Sequence, residues 1–328
     1  MKKITAIGIL GIVVGCTPPS PSDSIEKDNT TQCIRFLAFG DWGRMGSPEQ
    51  VNNASAMAEY AANHPLDFIV STGDNFYDNG VSSVHDEHWV SSFEDVYDQP
   101  SLQVPWYVVL GNHDYRGNVD AQLAYRSPNN DRWNLPGRHY LKNFYSNGIK
   151  VALLVLDTSP TEDTYYEEEK YKNVWSQDTA SQKKWARAVL DTLKADYIFV
   201  AGHHPLYSGG KRQGETFSQM HHWEPLFRKY HVSAYLCGHE HDLQYHEADF
   251  GSSGTLVHIV TGAGSEIRPT GYIREETYQS SNVKSRYATA KNGFTIIECG
   301  LKSARIELFA NSELVFTDSI PSFNYEAN

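Results

Sequence analysis

Apolar residues fall in short runs along this chain, and the polar residues between them follow a different period. Ile34 to Phe39, Phe68 to Ser71, Tyr107 to Leu110, Ile198 to Ala201 and Ala234 to Leu236 are β-branched, aromatic and aliphatic stretches bounded by Gly or Pro. Runs this short and this apolar predict buried strands. Between them, Glu49 to Asn63 and Ser181 to Leu193 carry a helical period, so strand and helix alternate as in βαβ units. Toward the carboxyl end, Leu256 to Thr261, Gly293 to Glu298, Ala304 to Phe309 and Leu314 to Asp318 read as further strands. Ala310-Asn311-Ser312 reads as a hairpin turn between the last two. Arg268 to Asn292 is polar and aperiodic, and reads as a loop beside the pocket. The pattern predicts one α/β domain without internal repeat, interior linker or second hydrophobic span.

The first residues follow another plan. Lys2-Lys3 precede an apolar stretch from Ile4 to Val14 that is too short to cross a bilayer, as in an export signal. Val13-Val14-Gly15-Cys16 resembles a bacterial lipobox. The likeness implies that residues 1–15 are a lipoprotein signal peptide and that Cys16 becomes a lipidated first residue. Such a residue would anchor the protein to a membrane of the bacterial cell envelope, periplasmic or surface-exposed. A secretory signal cleaved without lipidation is the plainer alternative. Residues 16–31, with Pro18, Pro19, Pro21 and several serines, read as a flexible tether, which leaves 32–320 for the domain and its core.

Charge and cysteine content narrow the partners. A net charge of −12 without basic stripes excludes nucleic acid as a general partner. It does not exclude small phosphates, because bound cations would dominate the field of a local site. With Cys16 lipidated, Cys33, Cys237 and Cys299 remain, enough for one intramolecular disulfide at most. Cys33 and Cys299 flank predicted strands and are the candidate pair.

What the apolar runs end in carries the chemistry. Gly40-Asp41-Trp42-Gly43, Gly73-Asp74-Asn75-Phe76-Tyr77, Gly111-Asn112-His113-Asp114, Gly202-His203-His204-Pro205 and Gly238-His239-Glu240-His241 each put metal-binding side chains at a predicted strand end. The carboxyl ends of strands in such sheets converge on one crevice, so these clusters describe a site where one alone would not. Asp41, Asp74, Tyr77, Asn112, His203, His239 and His241 offer carboxylate, phenolate, amide oxygen and imidazole. That mixture suits iron, zinc or manganese and requires no thiolate. Seven ligands are too many for one catalytic ion that keeps open positions, so two ions sharing a carboxylate fit better. Singly, Asp41 would read as a turn residue and Tyr77 as one of twenty tyrosines.

In this order the residues resemble the purple acid phosphatase branch of the calcineurin-like metallophosphoesterases, especially its small, tartrate-resistant type. The likeness runs from about Ile34 to Gly264. It implies a four-layer α/β/β/α sandwich, two mixed β-sheets flanked by helices. It also implies that Asp41, Tyr77 and His241 hold an Fe(III), that Asn112, His203 and His239 hold a divalent iron, zinc or manganese, and that Asp74 bridges them. Tyr77 is the discriminating residue, since other branches lack a tyrosinate ligand there. The implied activity is hydrolysis of small phosphate monoesters by a metal-bound hydroxide. His113 would contact the phosphoryl group or protonate the leaving oxygen, with Asp114 fixing its tautomer.

One stretch departs from that pattern. Ser208-Gly209-Gly210-Lys211-Arg212-Gln213 has no histidine where the tartrate-resistant type carries one. Lys211 or Arg212 is expected to supply a fixed positive charge instead, altering the pH optimum and the leaving-group preference. A phosphodiesterase or nucleotide pyrophosphatase on the same site is the alternative. A metal-binding or redox envelope lipoprotein is the alternative from another class.

Other residues carry less. His64, His85, His88, His139, His231, His246 and His258 lack cluster context and read as surface or hydrogen-bonded residues. His204 is left open: it adjoins a ligand, but it points the opposite way if the backbone is extended. Glu167-Glu168-Glu169, between Tyr165-Tyr166 and Lys170-Tyr171, reads as a solvated loop or helix start, with a substrate gate as the sharper option. Gly262-Ala263-Gly264 lacks the spacing of a nucleotide-binding loop and reads as a turn at the site rim.

Overall fold

The structure, a computed structural model, describes residues 33–128 and 130–323. The expected signal peptide, Cys16 and the whole expected tether lie outside the described residues. In chain order, β1 (Ile34–Phe39), β2 (Phe68–Ser71), β3 (Trp106–Val108) and β4 (Trp133–Asn134) open a first sheet. A second sheet is built from β5 (Tyr140–Ser146), β6 (Ile149–Val155), β7 (Tyr197–Ala201), β8 (Ala234–Cys237), β9 (Leu243–Asp249), β10 (Thr255–Thr261) and β11 (Val283–Thr289). The chain then returns through β12 (Gly293–Cys299), β13 (Ser303–Ala310) and β14 (Glu313–Pro321) to complete the first. Each sheet has seven strands: the first is parallel from β1 through β4 and antiparallel from β1 through β12 and β13 to β14, and the second has a parallel centre, β6-β7-β8-β10, with antiparallel flanks. The helices are α1 (Pro48–Asn63), α2 (Val119–Ala124), α3 (Thr179–Thr192) and α4 (Phe217–Lys229).

Alternation along β7 shows how the layers stack. Tyr197, Phe199 and Ala201 join the core between the sheets, whereas Ile198 and Val200 pack outward with Ala186 and Leu190 of α3 and Trp223 and Phe227 of α4. Both faces are apolar, which is why β7 reads as a continuous run. Across the inner layer, the rings of Phe36 and Phe199 meet edge-on at 5.3 Å, and Phe68 stacks on Phe144 at 3.8 Å. On the outer side of the first sheet, α1 buries Ala54, Met57, Ala58 and Ala61. The four-layer sandwich is the expected one.

Element ends follow local chemistry. Ser47 accepts from the Gln50 amide and Pro48 occupies the first turn of α1. Asp178 accepts from the Ser181 amide at 2.9 Å, so α3 begins earlier than its apolar period. Asn311 and Ser312 take φ of 49° and 68°, giving the two-residue turn that joins β13 to β14.

Three expectations change. Part of the Arg268–Asn292 loop is a strand, β11, paired antiparallel with β9; as an edge strand it is covered on one side only and shows no apolar run. The hairpin of β5 and β6, turning at Asn147-Gly148, and α4, whose period is broken by Pro225, were not anticipated. Cys33 and Cys299 are both free thiols. The register sets Ile34, not Cys33, opposite Cys299, so the two side chains fall on opposite faces.

Candidate metal centre

Every apolar run delivers its cluster to the same end of the sandwich. Beyond β1 lies Asp41, beyond β2 Asp74 and Tyr77, and beyond β3 Asn112; His203 follows β7, and His239 and His241 follow β8. Asp41, Asp74 and His239 hold φ of 60°, 50° and 68°, left-handed conformations uncommon outside glycine and concentrated at functional sites. The glycines make room. A Cβ on Gly111 would run into the Asp74 carboxylate, and one on Gly238 into that of Asp41.

The seven side chains meet in two groups that share one atom. In the first, the Tyr77 hydroxyl donates to Asp41 Oδ1 at 2.8 Å and lies 3.1 Å from His241 Nε2. In the second, His203 Nε2 lies 3.1 Å from Asn112 Oδ1 and 3.2 Å from His239 Nδ1. Asp74 Oδ2 is 3.0 Å from the Tyr77 hydroxyl and 3.4 Å from His203 Nε2, so it belongs to both. His203 Nδ1 donates to the Thr72 carbonyl at 2.9 Å, which turns its Nε2 inward.

The electrostatics are those of a site built for cations. Burial pushes Asp41 up to about 8, and it pushes Tyr77 up as well, with Asp41 and Asp74 adding to the effect. Asp74 is equally buried yet is held well below the usual carboxylate range, because His203 and His113 outweigh the burial. His203 is raised to about 9: burial opposes its charge, and Asp74 and Asp41 overcome it. Burial lowers His239 and His241. His241 Nδ1 is buried without a hydrogen-bond partner. Two carboxylates and a phenol packed together out of water repel one another unless positive charge is supplied. Carboxylate, phenol, amide oxygen and imidazole together fit a pair of borderline or hard metal ions.

Residues 34–243 match the calcineurin-like phosphoesterase family. Tartrate-resistant acid phosphatase type 5 of Homo sapiens is 32% identical over 308 residues, which cover 90% of this chain and 93% of that protein. Purple acid phosphatase 17 of Arabidopsis thaliana is 37% identical over 302 residues, covering 90% and 83%. The chain belongs to the calcineurin-like phosphoesterases, in their purple acid phosphatase branch. Among solved structures, GAP50, the anchor in the inner membrane complex of Plasmodium, superposes with a TM-score of 0.72 at 25% identity, covering 89% of this chain and 90% of that one. The purple acid phosphatase PPD1 of yellow lupin gives 0.64 at 15% identity over 91% of this chain and 55% of that one, a likeness of fold.

Around this purple acid phosphatase site, several residues differ from expectation. His113 faces inward, Nε2 3.9 Å from Asp74 Oδ2, and its Nδ1 donates to the Asp78 carbonyl at 2.6 Å. The tautomer of His113 is therefore set by Asp78, not by Asp114. Asp114 instead accepts from the Gly111 amide at 2.7 Å, from Gln122 at 2.9 Å and from Asn75 at 3.0 Å, tying the Asp74 turn to the Asn112 turn. His204 does not face away: its ring lies 4.6 Å from that of His239, and Thr158 and Tyr165 engage its two nitrogens. Gly262 is not at the rim, since a Cβ there would strike the Glu240 carbonyl and Asp41.

Arg212 lines a cleft of 410 Å³ that opens beside His239 and His204. Its loop is held by the buried Glu240, to which the sequence assigns no role. That carboxylate accepts from the Ser208 hydroxyl at 2.8 Å and from the amides of Lys211 and Arg212 at 3.2 Å and 2.5 Å. The Glu167–Glu169 run joins two 3₁₀ turns, Asp163–Glu167 and Glu169–Val174, with Glu168 between them, and Tyr165, Glu168, Lys170 and Tyr171 line the same cleft. Arg44 sits 3.9 Å over the Tyr77 ring. No motif announces Tyr171 or Arg44; only the fold brings them near.

Proposed function

We propose that this chain hydrolyses phosphate monoesters at a dinuclear metal centre. Asp41, Tyr77 and His241 would hold an Fe(III), Asn112, His203 and His239 a divalent iron, zinc or manganese, and Asp74 both. The observation that carries this reading is the position of Asp74 Oδ2, within 3.4 Å of both groups. When bound, two such cations acidify a water and stabilise negative charge on the attacking and leaving oxygens. The protein supplies the rest. His113 keeps its Nδ1 proton on the Asp78 carbonyl and turns Nε2 inward; protonated there as well, it gives the Nε2 proton to the leaving oxygen and is left as neutral imidazole. Arg212, on the wall of the cleft, offers a fixed positive charge in place of the histidine that its loop lacks.

The test is the rate on an aryl phosphate monoester beside its matching diester, from acidic to alkaline pH, with metal-loaded protein. A monoester preference with an acidic optimum is expected. A diester preference would move the site to the phosphodiesterase reading, and no turnover after full metal loading would end both.

The location of the enzyme is part of the same proposal. Lys2-Lys3, the apolar stretch to Val14 and Cys16 support export and lipid anchoring in a bacterial envelope. A Cys16→Ser protein is expected in the soluble fraction, and one that stays with the membrane would refute the anchor.

A further inference from the structure

Two tyrosines on the cleft wall each have a hydroxyl proton with nowhere internal to go. Tyr171 Oη accepts from Arg116 Nη2 at 2.8 Å and from Asn112 Nδ2 at 3.2 Å. Neither partner can accept a hydrogen bond through those atoms, so both lone pairs are filled and the Tyr171 proton is left over.

For Tyr165 the same accounting runs through two other residues. Thr158 Oγ1 accepts from the backbone amides of His203 and His204 at 3.0 Å and 3.1 Å. Its own proton then has one acceptor in reach, His204 Nδ1 at 2.9 Å. With Nδ1 accepting, Nε2 carries the ring proton of His204 and donates it to Tyr165 Oη at 2.8 Å. The Tyr165 proton is left over as well. Among the described residues neither hydroxyl has an acceptor.

The two rings stack at 3.9 Å, both side chains are buried, and both line the 410 Å³ cleft with Arg212 and His239. We infer that Tyr165 and Tyr171 form a paired donor for the oxygens of the bound phosphoryl group. Resting on the phosphoesterase reading above, the inference gives the acidic segment around Glu167–Glu169 a task. It carries neutral donors to the wall facing the Arg212 loop, where that loop has no histidine to offer. A tetrahedral oxyanion suits the pair because two of its oxygens can each take one proton, while Asn112 and His204 keep the hydroxyls oriented from behind.

The experiment is calorimetric titration of inorganic phosphate into metal-loaded enzyme, with metal content measured on each sample. Tyr165→Phe and Tyr171→Phe keep the stacked rings and remove one proton each. Each is expected to weaken phosphate binding about 10-fold or more, the worth of a hydrogen bond to a charged acceptor, with metal content unchanged. Tyr166→Phe, whose hydroxyl is spent on the Pro160 carbonyl at 3.0 Å, is expected to bind phosphate like the wild type. Phosphate affinity within twofold of wild type in either cleft variant would overturn the pair. Loss of a metal in Tyr171→Phe would overturn direct contact in favour of a hold on Asn112. A wild-type enzyme that is fully metal-loaded yet binds no phosphate would overturn the phosphoesterase reading, and the pair with it.

Discussion

The two sheets give different atoms to one site. The turns beyond the first sheet supply oxygen donors, Asp41, Asp74, Tyr77 and Asn112, whereas those beyond the second supply imidazoles, His203, His239 and His241. Neither half of the site belongs to one sheet. Tyr77 and Asp41 need His241 from across the sandwich, and Asn112 needs His203 and His239. The distance between the two donor sets is therefore fixed by the aromatic layer between the sheets, Phe36 on Phe199 and Phe68 on Phe144. A core contact far from the chemistry sets its geometry.

The sharpest way to break this arrangement is Asp74→Asn, which removes the one carboxylate common to both halves. Metal content is expected to fall for both ions, and kcat/KM by more than the roughly 10–100-fold typical of residues that merely support a ligand. Retention of both ions would show that the halves are independent. Next comes the layer that spaces the sheets. Phe199→Ala is expected to cost about 3–5 kcal/mol in urea unfolding and to weaken both metals together. A gentler change separates the halves: a Cβ in Gly238→Ala presses hardest on Asp41, at 2.3 Å, and less on Thr72, at 3.1 Å, so the ion beside Tyr77, and with it any tyrosinate colour of the oxidised iron protein, should be lost before the ion beside His203.

The smallest effect probes a link between the sheets that carries no ligand. Tyr115, beyond His113, donates to Asp157, just past the end of β6, and burial pushes Asp157 up to about 7 against that bond. A buried carboxyl raised in this way binds its proton more tightly folded than unfolded. Its contribution is favourable at low pH and is lost as pH rises from about 4 to about 7. Relative to Asp157→Asn at equal metal content, wild-type stability should fall across that window by at most about 1.4 kcal/mol per pH unit. A difference that stays flat from pH 4 to 8 would contradict the raised value.

Strands buried on both faces and ending in a glycine and a ligand were legible because burial and chemistry are both written locally: β1 and β2 have the expected bounds, and the ligand clusters follow them. What escaped was written elsewhere. The role of Asp114 depends on Gly111, Asn75 and Gln122, and no spacing shows that its carboxylate turns to them and away from His113. Glu240 stands between two ligand histidines, and nothing in that spacing shows that the Ser208–Arg212 loop closes on it. β11 has no apolar run because an edge strand does not need one. The direction of His204 turns on whether the backbone there is extended, and the chain has already begun to turn at that point.

The His239 amide donates to Asp41 Oδ2 at 2.9 Å across 198 residues of chain. Contacts so distant in sequence are among the slowest for a chain to close. A nascent chain that has made the four oxygen donors still lacks His203, His239 and His241, and a partly folded one holds the two sets apart. Metal capture would thus mark the completion of folding, and the metals available where the last strands dock, not where synthesis begins, would decide what the finished protein contains.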